Sequence, residues 1–174
     1  MTDPEVGPVR TPLPAMDTAA ASAMWVAYSA AHPDVTFGED LPPISTFGDH
    51  VELADELLEL VVHGPKRATA GLVADFHADP EPLPRIGGHW VVCDGTGAPR
   101  VILRSTELRV GVIETVDDAF AWDEGEGDRS RAYWLAAHRQ FFTRTCAARG
   151  AEFTEDLEVV FERFRLVWPP DLAD

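Results

Sequence analysis

The feature that most constrains the fold is a hairpin pattern near the middle of the chain. Two β-prone runs, residues 89–94 and 99–105, flank the turn Asp94-Gly95-Thr96-Gly97. A turn this short joins antiparallel strands. Helical patterns stand before and after the hairpin, without the regular alternation of βαβ units. The order therefore predicts an α+β fold, with a small curled antiparallel or mixed sheet and flanking helices.

Three longer patterns predict helices. The clearest begins at Asp49 as N-cap and ends at Gly64, with apolar residues recurring at helical spacing between them. The other two are expected over residues 17–31 and 129–149. A short helix is expected over residues 116–122. These helices would cover the sheet.

The rest of the chain divides into strands and connectors. Further β-type runs are expected over residues 67–76, 107–112 and 157–168. The proline-rich residues 1–14 predict an extended or disordered arm, and residues 34–48 predict a connector that contains proline and glycine. At 174 residues the chain is long enough for one well-buried core, so one domain is expected.

The charge of the chain restricts its partners. The formal net charge is −16 and the pI is near 4.6. Proteins that bind nucleic acid over their whole surface depend on many Lys and Arg contacts to phosphates. RNA contact would therefore be confined to a local basic pocket, and no DNA duplex is expected as a partner.

The cysteine content and the lengths of the apolar stretches indicate the cellular compartment of the protein. Cys93 and Cys146 are too few for a disulfide framework and lack the spacing of a zinc or redox site, which predicts a reducing cytoplasm. The acidic start of the chain shows no secretory signal. Residues 19–31 form the longest mostly apolar stretch, well below the roughly 20 residues that span a bilayer. A core or docking helix is expected there, and no membrane partner.

Lys66 is the only lysine among the fourteen basic residues, and it lies where the second helix gives way to a β-type run. A guanidinium stays protonated in proteins, whereas a desolvated amine can lose its proton and act as a base or nucleophile. The alternative is a basic residue at a helix C-terminus, where it complements the helix dipole.

Thr69 follows Lys66 in the spacing Gly64-x-Lys66-x-x-Thr69. If the chain is still turning after the helix, the hydroxyl and the amine converge; in an extended chain they lie on opposite faces. A converging pair could bind a phosphate or carbonyl oxygen. Alternatively, Lys66 could deprotonate the hydroxyl of Thr69 as a nucleophile.

An acidic turn over residues 123–128 precedes the third long helix. Two glycines permit tight backbone geometry, and Glu126 lies near the helix N-terminus, which favours negative charge. Glu126 could be a general base or pair with Lys66. The alternative is a helix-capping loop with Asp128 as N-cap. No cofactor is required, although the turn leaves open a weakly held Mg²⁺ or Mn²⁺ ion.

Other polar residues have a binding interpretation and a structural one. Tyr133 could stack a base. His138 lies on the apolar stripe of the third helix, where a core histidine is the more common explanation. Arg163 and Arg165 alternate along the last strand and could bind phosphate, although exposed charges on an edge strand are the more usual reason for such a pair.

Several motifs, in this order, resemble the ASCH domain family, which is related to the PUA-like RNA-binding domains. They are Phe47-Gly48-Asp49, Leu53-Ala54-Asp55-Glu56-Leu57-Leu58, Gly64-Pro65-Lys66-Arg67-Ala68-Thr69-Ala70, Glu124-Gly125-Glu126-Gly127-Asp128-Arg129-Ser130, Tyr133-Trp134, His138 and Glu162-Arg163-Phe164-Arg165. The resemblance implies a small PUA-like β-barrel with flanking helices over residues 47–170. Residues 1–46 would add an N-terminal arm and a docking helix.

The resemblance also implies a function. Members of the family cleave RNA, hydrolyse the amide of N4-acetylcytidine, or bind RNA without catalysis. The catalytic residues would be Lys66, Thr69 and Glu126, with Glu124 as a competing position for the acid. The expected function is a hydrolase that cleaves single-stranded RNA, with a modified nucleoside as the alternative substrate and a non-catalytic module as the second alternative. The expected substrate-binding residues are Arg67, Arg129, Tyr133, His138, Arg163 and Arg165.

Overall fold

The structure is a computed structural model that describes residues 10–78 and 81–174. The helices are α1 (Thr18–Ala31), α2 (Pro33–Thr36), α3 (Val51–Val62), α4 (Val73–Ala78), α5 (Asp118–Glu124) and α6 (Arg131–Ala148). The strands are β1 (Ile44–Thr46), β2 (Ala68–Leu72), β3 (His89–Cys93), β4 (Pro99–Val112) and β5 (Glu158–Trp168). A 3₁₀ turn, Ile113–Thr115, follows β4.

The five strands form one curled half-barrel sheet in the order β1-β3-β4-β5-β2. β1 pairs with β3 in parallel, and all other pairs are antiparallel. The register of β4 against β5 shifts between Ser105 and Glu107, which bends the longest strand. Helices pack around this sheet, so the predicted α+β fold of PUA-like type is confirmed.

Side chains that alternate along β5 hold different helices against the two faces of the sheet. Val159 and Phe161 pack in a core with α5 and α6. Phe164 and Leu166 belong to the opposite alternation and pack with α3. The positions of α3 and α6 therefore depend on the same strand.

The N-terminal segment packs on the sheet of its own chain. Trp25 and Tyr28 of α1 contact Val91 and Ile102 of the central strands, in a core that α1 completes. β1 also lies before residue 47 and forms the edge of the sheet. The strand at residues 44–46 and the strands that follow residue 47 thus share one sheet.

The arm before α1 is held by polar contacts. Its described part begins at Arg10, and residues 1–9 of the predicted arm lie outside the described residues. The hydroxyl of Thr11 donates to Glu52 at 2.6 Å, and the backbone N–H of Asp17 donates to the carbonyl of Gly97 at 2.9 Å. These bonds fix the arm along the start of α3 and the β3–β4 turn.

Some predicted boundaries were wrong. Residues 34–48 contain β1 instead of only a connector, because parallel pairing with β3 gives a short segment its strand form. The run over residues 67–76 ends as a strand at Leu72 and continues as α4. Residues 99–112 form one strand, since the bulge after Ser105 bends the chain without ending its pairing.

The predicted caps also need correction. Asp17 caps α1 as expected, by accepting from the N–H of Ala20. His50 stands at the N-cap of α3, because the carboxylate of Asp49 is bound by Arg144. Ser130 caps α6 in place of Asp128. At α3 the contact with Arg144 engages the carboxylate that would have capped the helix. At α6 the hydroxyl of Ser130 is nearer to the first turn than the carboxylate of Asp128. Within the described chain, no helix combines the length and apolar character needed to cross a membrane.

Candidate functional site

A tight turn between α3 and β2 delivers Lys66 to the interior. The backbone N–H of Lys66 donates to the carbonyl of Leu60 at 3.1 Å, which folds the turn back on α3. The next N–H, of Arg67, donates to the carbonyl of Asp123 in α5 at 2.7 Å. Lys66 is therefore held by its backbone from two helices.

The loop between α5 and α6 crosses this turn at backbone contact. Gly125 has φ +73°, and a Cβ atom there would lie 2.9 Å from the backbone nitrogen of Lys66 and 3.0 Å from its Cα. Only glycine fits such an approach in the left-handed region. The close crossing places the residues on either side of Gly125, Glu124 and Glu126, at the side chain of Lys66.

The ammonium of Lys66 is held between these two carboxylates. Its Nζ donates to Glu124 Oε2 at 2.7 Å and to Glu126 Oε1 at 2.6 Å. The side chains of Lys66 and Glu124 are each 1% exposed, whereas that of Glu126 is 19% exposed. The amine thus points away from bulk solvent, and Glu126 is the member of the cluster that solvent reaches.

Burial and the neighbouring charges shift the pKa values of all three side chains of the cluster. Burial alone would lower the pKa of Lys66, but the charges of Glu124 and Glu126 outweigh it and raise that pKa. Burial opposes ionisation of Glu124 as well, yet Lys66 and His138 hold its pKa well below the usual range. Burial and the charge of Glu124 raise the pKa of Glu126. Lys66 is therefore an ammonium and no free base, and Glu126 is the group that takes up a proton.

His138 adjoins the same cluster. Its ring stacks on Trp134 at 3.8 Å, and its Nδ1 lies 3.0 Å from the carbonyl oxygen of Trp134, so Nδ1 carries a hydrogen. Nε2 lies 3.5 Å from Glu124 Oε1 and can donate to it only as an imidazolium. Glu124 Oε1 has no hydrogen-bond partner that meets the usual geometry. This buried oxygen is an acceptor available to a water or a substrate.

A cavity of about 380 Å³, termed the smaller cavity, opens beside the cluster. Its lining includes Thr69, Glu124, Glu126, Tyr133 and His138. Lys66 lies behind the two glutamates and is not part of the lining. In the described part of the chain, no side-chain hydrogen bond joins Thr69 to Lys66 or Glu126, so the structure brings the three predicted residues to one place without direct contact of all three.

The walls of the smaller cavity carry charge of both signs. Glu52 and Glu56 add to the two glutamates of the cluster, while Arg10 and Arg144 contribute positive charge. Arg144 is engaged by Asp49 through two bonds, of 2.6 and 3.0 Å. Burial would raise the pKa of Asp49, but the hydrogen bonds from Arg144 and His50 outweigh it and lower that pKa to about 2.

A second cavity of about 1080 Å³, termed the larger cavity, adjoins the smaller one. Residues common to both linings are Phe47, Gly48, Thr69, Ala70 and Phe141. Thr69 thus stands at the boundary between the two spaces. Glu162 and Ser105 lie in the lining of the larger cavity alone.

Four predicted binding residues lie outside both linings. Arg67 binds Asp174 and backbone carbonyls, and Arg129 stacks on Trp122 with its guanidinium 3.7 Å from the ring centroid. Arg163 is paired with Asp123 and Glu107 on the strand face opposite to Glu162. Arg165 is exposed on that same opposite face. Their role in substrate binding stays a prediction, and the structure does not bring them to either cavity.

Two glutamates carry more of the site than the sequence indicated. The sequence offers Glu124 only as an alternative to Glu126 for the catalytic acid, and in the structure both bind the same lysine. Glu162 stands out in the sequence only as part of the motif Glu162-Arg163-Phe164-Arg165. A usable signal for Glu162 existed: it is the polar residue in the otherwise apolar alternation Val160, Phe164, Leu166 of the last strand.

A Mg²⁺ or Mn²⁺ ion at the acidic turn stays a prediction. Both carboxylates that face inward, Glu124 and Glu126, bind the ammonium of Lys66. Among residues 10–78 and 81–174, no group of three or more His, Cys, Asp or Glu side chains is arranged to hold a metal ion. A Mg²⁺ or Mn²⁺ ion would have to displace Lys66.

A family profile and a solved structure both indicate the ASCH domain. The sequence profile of the ASCH domain matches residues 43–168. A crystal structure of an ASCH domain from Lactobacillus crispatus is similar, with 30% identity, coverage of 88% of this chain and 97% of that one, and a TM-score of 0.76. A crystal structure of a protein from Enterococcus faecalis has 27% identity, coverage of 86% and 89%, and a TM-score of 0.76. No curated protein matches the chain significantly.

Proposed function

This chain belongs to the ASCH domain family, and from that premise we propose that it is a hydrolase acting on a modified nucleoside or on single-stranded RNA at the smaller cavity. The observation that carries the proposal is the buried ammonium of Lys66 between two carboxylates of different exposure, beside a cavity that Thr69 lines. Hydrolysis of an amide or ester requires one group that accepts a proton and a neighbouring group that stabilises negative charge.

Size and charge favour a small substrate with little negative charge. About 380 Å³ lies at the low end of the range for small-molecule sites. Glu52, Glu56 and Glu126 line this space, and they would repel a phosphate group. The amide of an acylated nucleoside, such as N4-acetylcytidine, is neutral and fits this environment better than a phosphodiester.

Glu126 serves as the general base in this proposal. It is the partly exposed carboxylate, and its raised pKa brings it closer to the range in which a carboxylate accepts a proton efficiently. A water molecule in the smaller cavity would give its proton to Glu126 while its oxygen attacks the carbonyl carbon. Glu126 would then pass that proton to the leaving nitrogen as the C–N bond breaks, which releases the amine of the nucleoside and the carboxylic acid. Glu124 stays ionised and keeps Lys66 charged.

Lys66 stabilises the negative oxygen that develops on the carbonyl. Its ammonium has three hydrogens, and the two glutamates accept two of them. The ring of Phe47 lines both cavities, and its centroid is 5.4 Å from Nζ. Because the side chain of Lys66 is buried, a substrate oxygen would reach Nζ after a change of rotamer at Phe47 or Glu126. Thr69, at the cavity boundary, would orient the carbonyl or act as the nucleophile in place of water.

Cleavage of single-stranded RNA is the second candidate, favoured by the two adjoining cavities. A strand longer than one nucleotide could extend past Thr69 from the smaller cavity into the larger one. The same ammonium would then stabilise the negative charge on the non-bridging phosphate oxygens, while Glu126 takes the proton of the attacking hydroxyl and passes it to the oxygen that leaves. A module that binds RNA without hydrolysis remains the outcome if neither reaction occurs.

The test is incubation of purified protein with N4-acetylcytidine and, separately, with single-stranded RNA, in EDTA and in Mn²⁺. We expect the wild type to release cytidine in EDTA, because Lys66 supplies the cation. Glu126→Gln keeps the size of the side chain but cannot accept the proton, and we expect a loss of about 10²-fold or more in kcat. Thr69→Val tests the hydroxyl at nearly constant volume.

Lys66→Ala is the decisive variant for the site, but it leaves two inward-facing carboxylates without their cation. This loss should lower the free energy of unfolding by about 3–5 kcal/mol. Its unfolding must therefore be measured beside its activity. Glu158→Ala, at an exposed residue outside both cavities, is the control and should keep wild-type activity. Equal turnover by the wild type and Glu126→Gln would refute catalysis at this site, and binding without product in all variants would identify a binding module.

A further inference from the structure

The larger cavity has a polar floor on a strand face that is otherwise apolar. Ser105 and Glu162 lie in its lining, from β4 and β5. Ser105 is 3% exposed and Glu162 is 7% exposed, so the pair is at least nine-tenths buried. Glu162 also pairs with Thr69 in the register of β2 and β5, which puts both side chains on the same face. The polar floor thus borders the smaller cavity.

Glu162 has no cationic partner. The hydroxyl of Ser105 donates to Glu162 Oε1 in a short hydrogen bond. Among the described residues, no lysine, arginine or histidine forms an ion pair with Glu162. Leaving a buried carboxylate uncompensated is costly, so such a group stays protonated instead. Consistently, burial raises the pKa of Glu162, and the bond from Ser105 opposes this only in part.

A protonated carboxyl group offers one donor and one acceptor side by side. Ser105 engages one oxygen, and Oε2 has no hydrogen-bond partner among the described side chains. The lining also contains Trp90, whose buried indole N–H has no hydrogen-bond partner. Phe47 and Phe141 add aromatic walls, which suit a planar ligand. The lining also carries charged side chains, among them Glu39 and Arg85, which bind each other.

We propose that Glu162, positioned by Ser105, recognises a nucleobase in the larger cavity through an edge that carries an amino group next to a ring nitrogen. The carboxyl hydrogen is donated to the ring nitrogen, and the amino group donates to the carboxyl oxygen. Cytosine and adenine present this edge. On their Watson–Crick edges uracil and guanine carry an N–H in place of the ring acceptor, so they would face the donor of Glu162 with a donor of their own. The other ring nitrogen beside the amino group of guanine, N3, lies next to the ribose in guanosine. The proposal rests on the proposed function in naming a nucleobase as the ligand, but it requires binding and no hydrolysis.

The test is the affinity of the full chain for cytidine, adenosine, uridine and guanosine, measured by titration calorimetry or by chemical shift changes. The wild type should prefer cytidine or adenosine over uridine and guanosine. Glu162→Gln keeps a donor beside an acceptor, and it should retain both the affinity and the order of preference. Glu162→Leu removes both groups at similar volume, and it should weaken the preferred nucleoside roughly tenfold and abolish the preference.

Two controls separate this inference from the proposed function. Glu158→Leu changes an exposed glutamate of the same strand outside both cavities and should bind as the wild type does. Glu126→Gln should lose hydrolysis and keep the order of nucleoside affinities. Unchanged nucleoside binding by Glu162→Leu would overturn the inference. It would also be overturned if the wild type bound guanosine most tightly and Glu162→Gln lost that binding, because this pattern identifies an ionised carboxylate. Absence of hydrolysis by the wild type, with binding that depends on Glu162, would refute the proposed function alone.

Discussion

Two buried glutamates in this protein have pKa values that are shifted in opposite directions because of what surrounds them. Glu124 faces the ammonium of Lys66, whose positive charge keeps it ionised. Glu162 faces a hydroxyl, which cannot compensate a negative charge, and burial therefore raises its pKa. Residue type alone does not assign a role to either side chain. The neighbouring charge does.

The raised pKa of Glu162 predicts a pH dependence of stability. Below the ordinary value of 4.5, Glu162 is protonated in both the folded and the unfolded chain and contributes no penalty. As the pH rises above 4.5, the unfolded chain releases the proton first, so the wild type loses stability until the pH passes the folded pKa. Glu162→Gln has no proton to release at this position. Its free energy of unfolding relative to the wild type should therefore increase with pH across that window.

Urea unfolding from about pH 4 to about pH 8 measures this difference. Glu158→Gln provides the background pH dependence of an exposed glutamate on the same strand. Curves of wild type and Glu162→Gln that run parallel over the whole range would mean that Glu162 is ionised in the folded protein.

At the scale of elements, the site is made by a loop that crosses a turn. The loop between α5 and α6 meets the α3–β2 turn at Gly125, and this crossing places both glutamates on Lys66. The N–H of Arg67 adds a bond from the turn to the carbonyl of Asp123. Because the contact is backbone against backbone, it has little freedom to adjust.

Gly125→Ala tests this crossing. The new Cβ would lie 2.9 Å from the backbone nitrogen of Lys66 and must displace the turn. Gly38→Ala is a matched control, because Gly38 has φ +72° and nothing within 4 Å of its Cβ position. We expect Gly38→Ala to cost about 1–2 kcal/mol for the left-handed conformation alone, and Gly125→Ala to cost at least about 1 kcal/mol more.

Denaturant unfolding of the two variants gives the difference, and the hydrolysis assay should show a loss of activity only for Gly125→Ala. Equal destabilisation of both variants would show that the loop can shift away from Lys66 without strain. The crossing would then not be what fixes the two glutamates.

For the whole molecule, charge limits which nucleic acids can bind. The net charge of −16 repels a polyanion at long range, and four predicted arginines lie outside both cavities. Arg129 and Arg163 are also engaged by contacts within the chain. Few phosphates can therefore be neutralised at once.

We expect weak binding of long duplex RNA at about 0.15 M salt, with a dissociation constant no tighter than about 10⁻⁴–10⁻⁶ M. Nucleoside binding should change little with salt, because it releases no counterions. Gel shift or fluorescence anisotropy with a duplex of about 20 base pairs, and titration with cytidine at two salt concentrations, measure both. Nanomolar duplex binding with a steep salt dependence would contradict this expectation.

Sequence alone determined the fold class, the long helices, the last strand and the region of the site. Periodicity and turn residues are local properties, and Lys66 with Glu126 stood out because each lies in a glycine-containing turn next to a helix. The cap at Asp49 and the continuation of β4 past Ser105 were decided by contacts distant in sequence, namely Arg144 and the pairing with β5. The end of β2 at Leu72 was decided by the adjacent start of α4.

Only the tertiary structure decided the charge state of the site. The approach of the α5–α6 loop at Gly125 brings a second carboxylate to Lys66, and two carboxylates outweigh the burial that would otherwise neutralise an amine. In the same way, the pairing of β4 with β5 sets Ser105 near Glu162 and leaves that carboxyl group without a cation. Protonation depends on distances between groups far apart in the chain, and those distances exist only after folding.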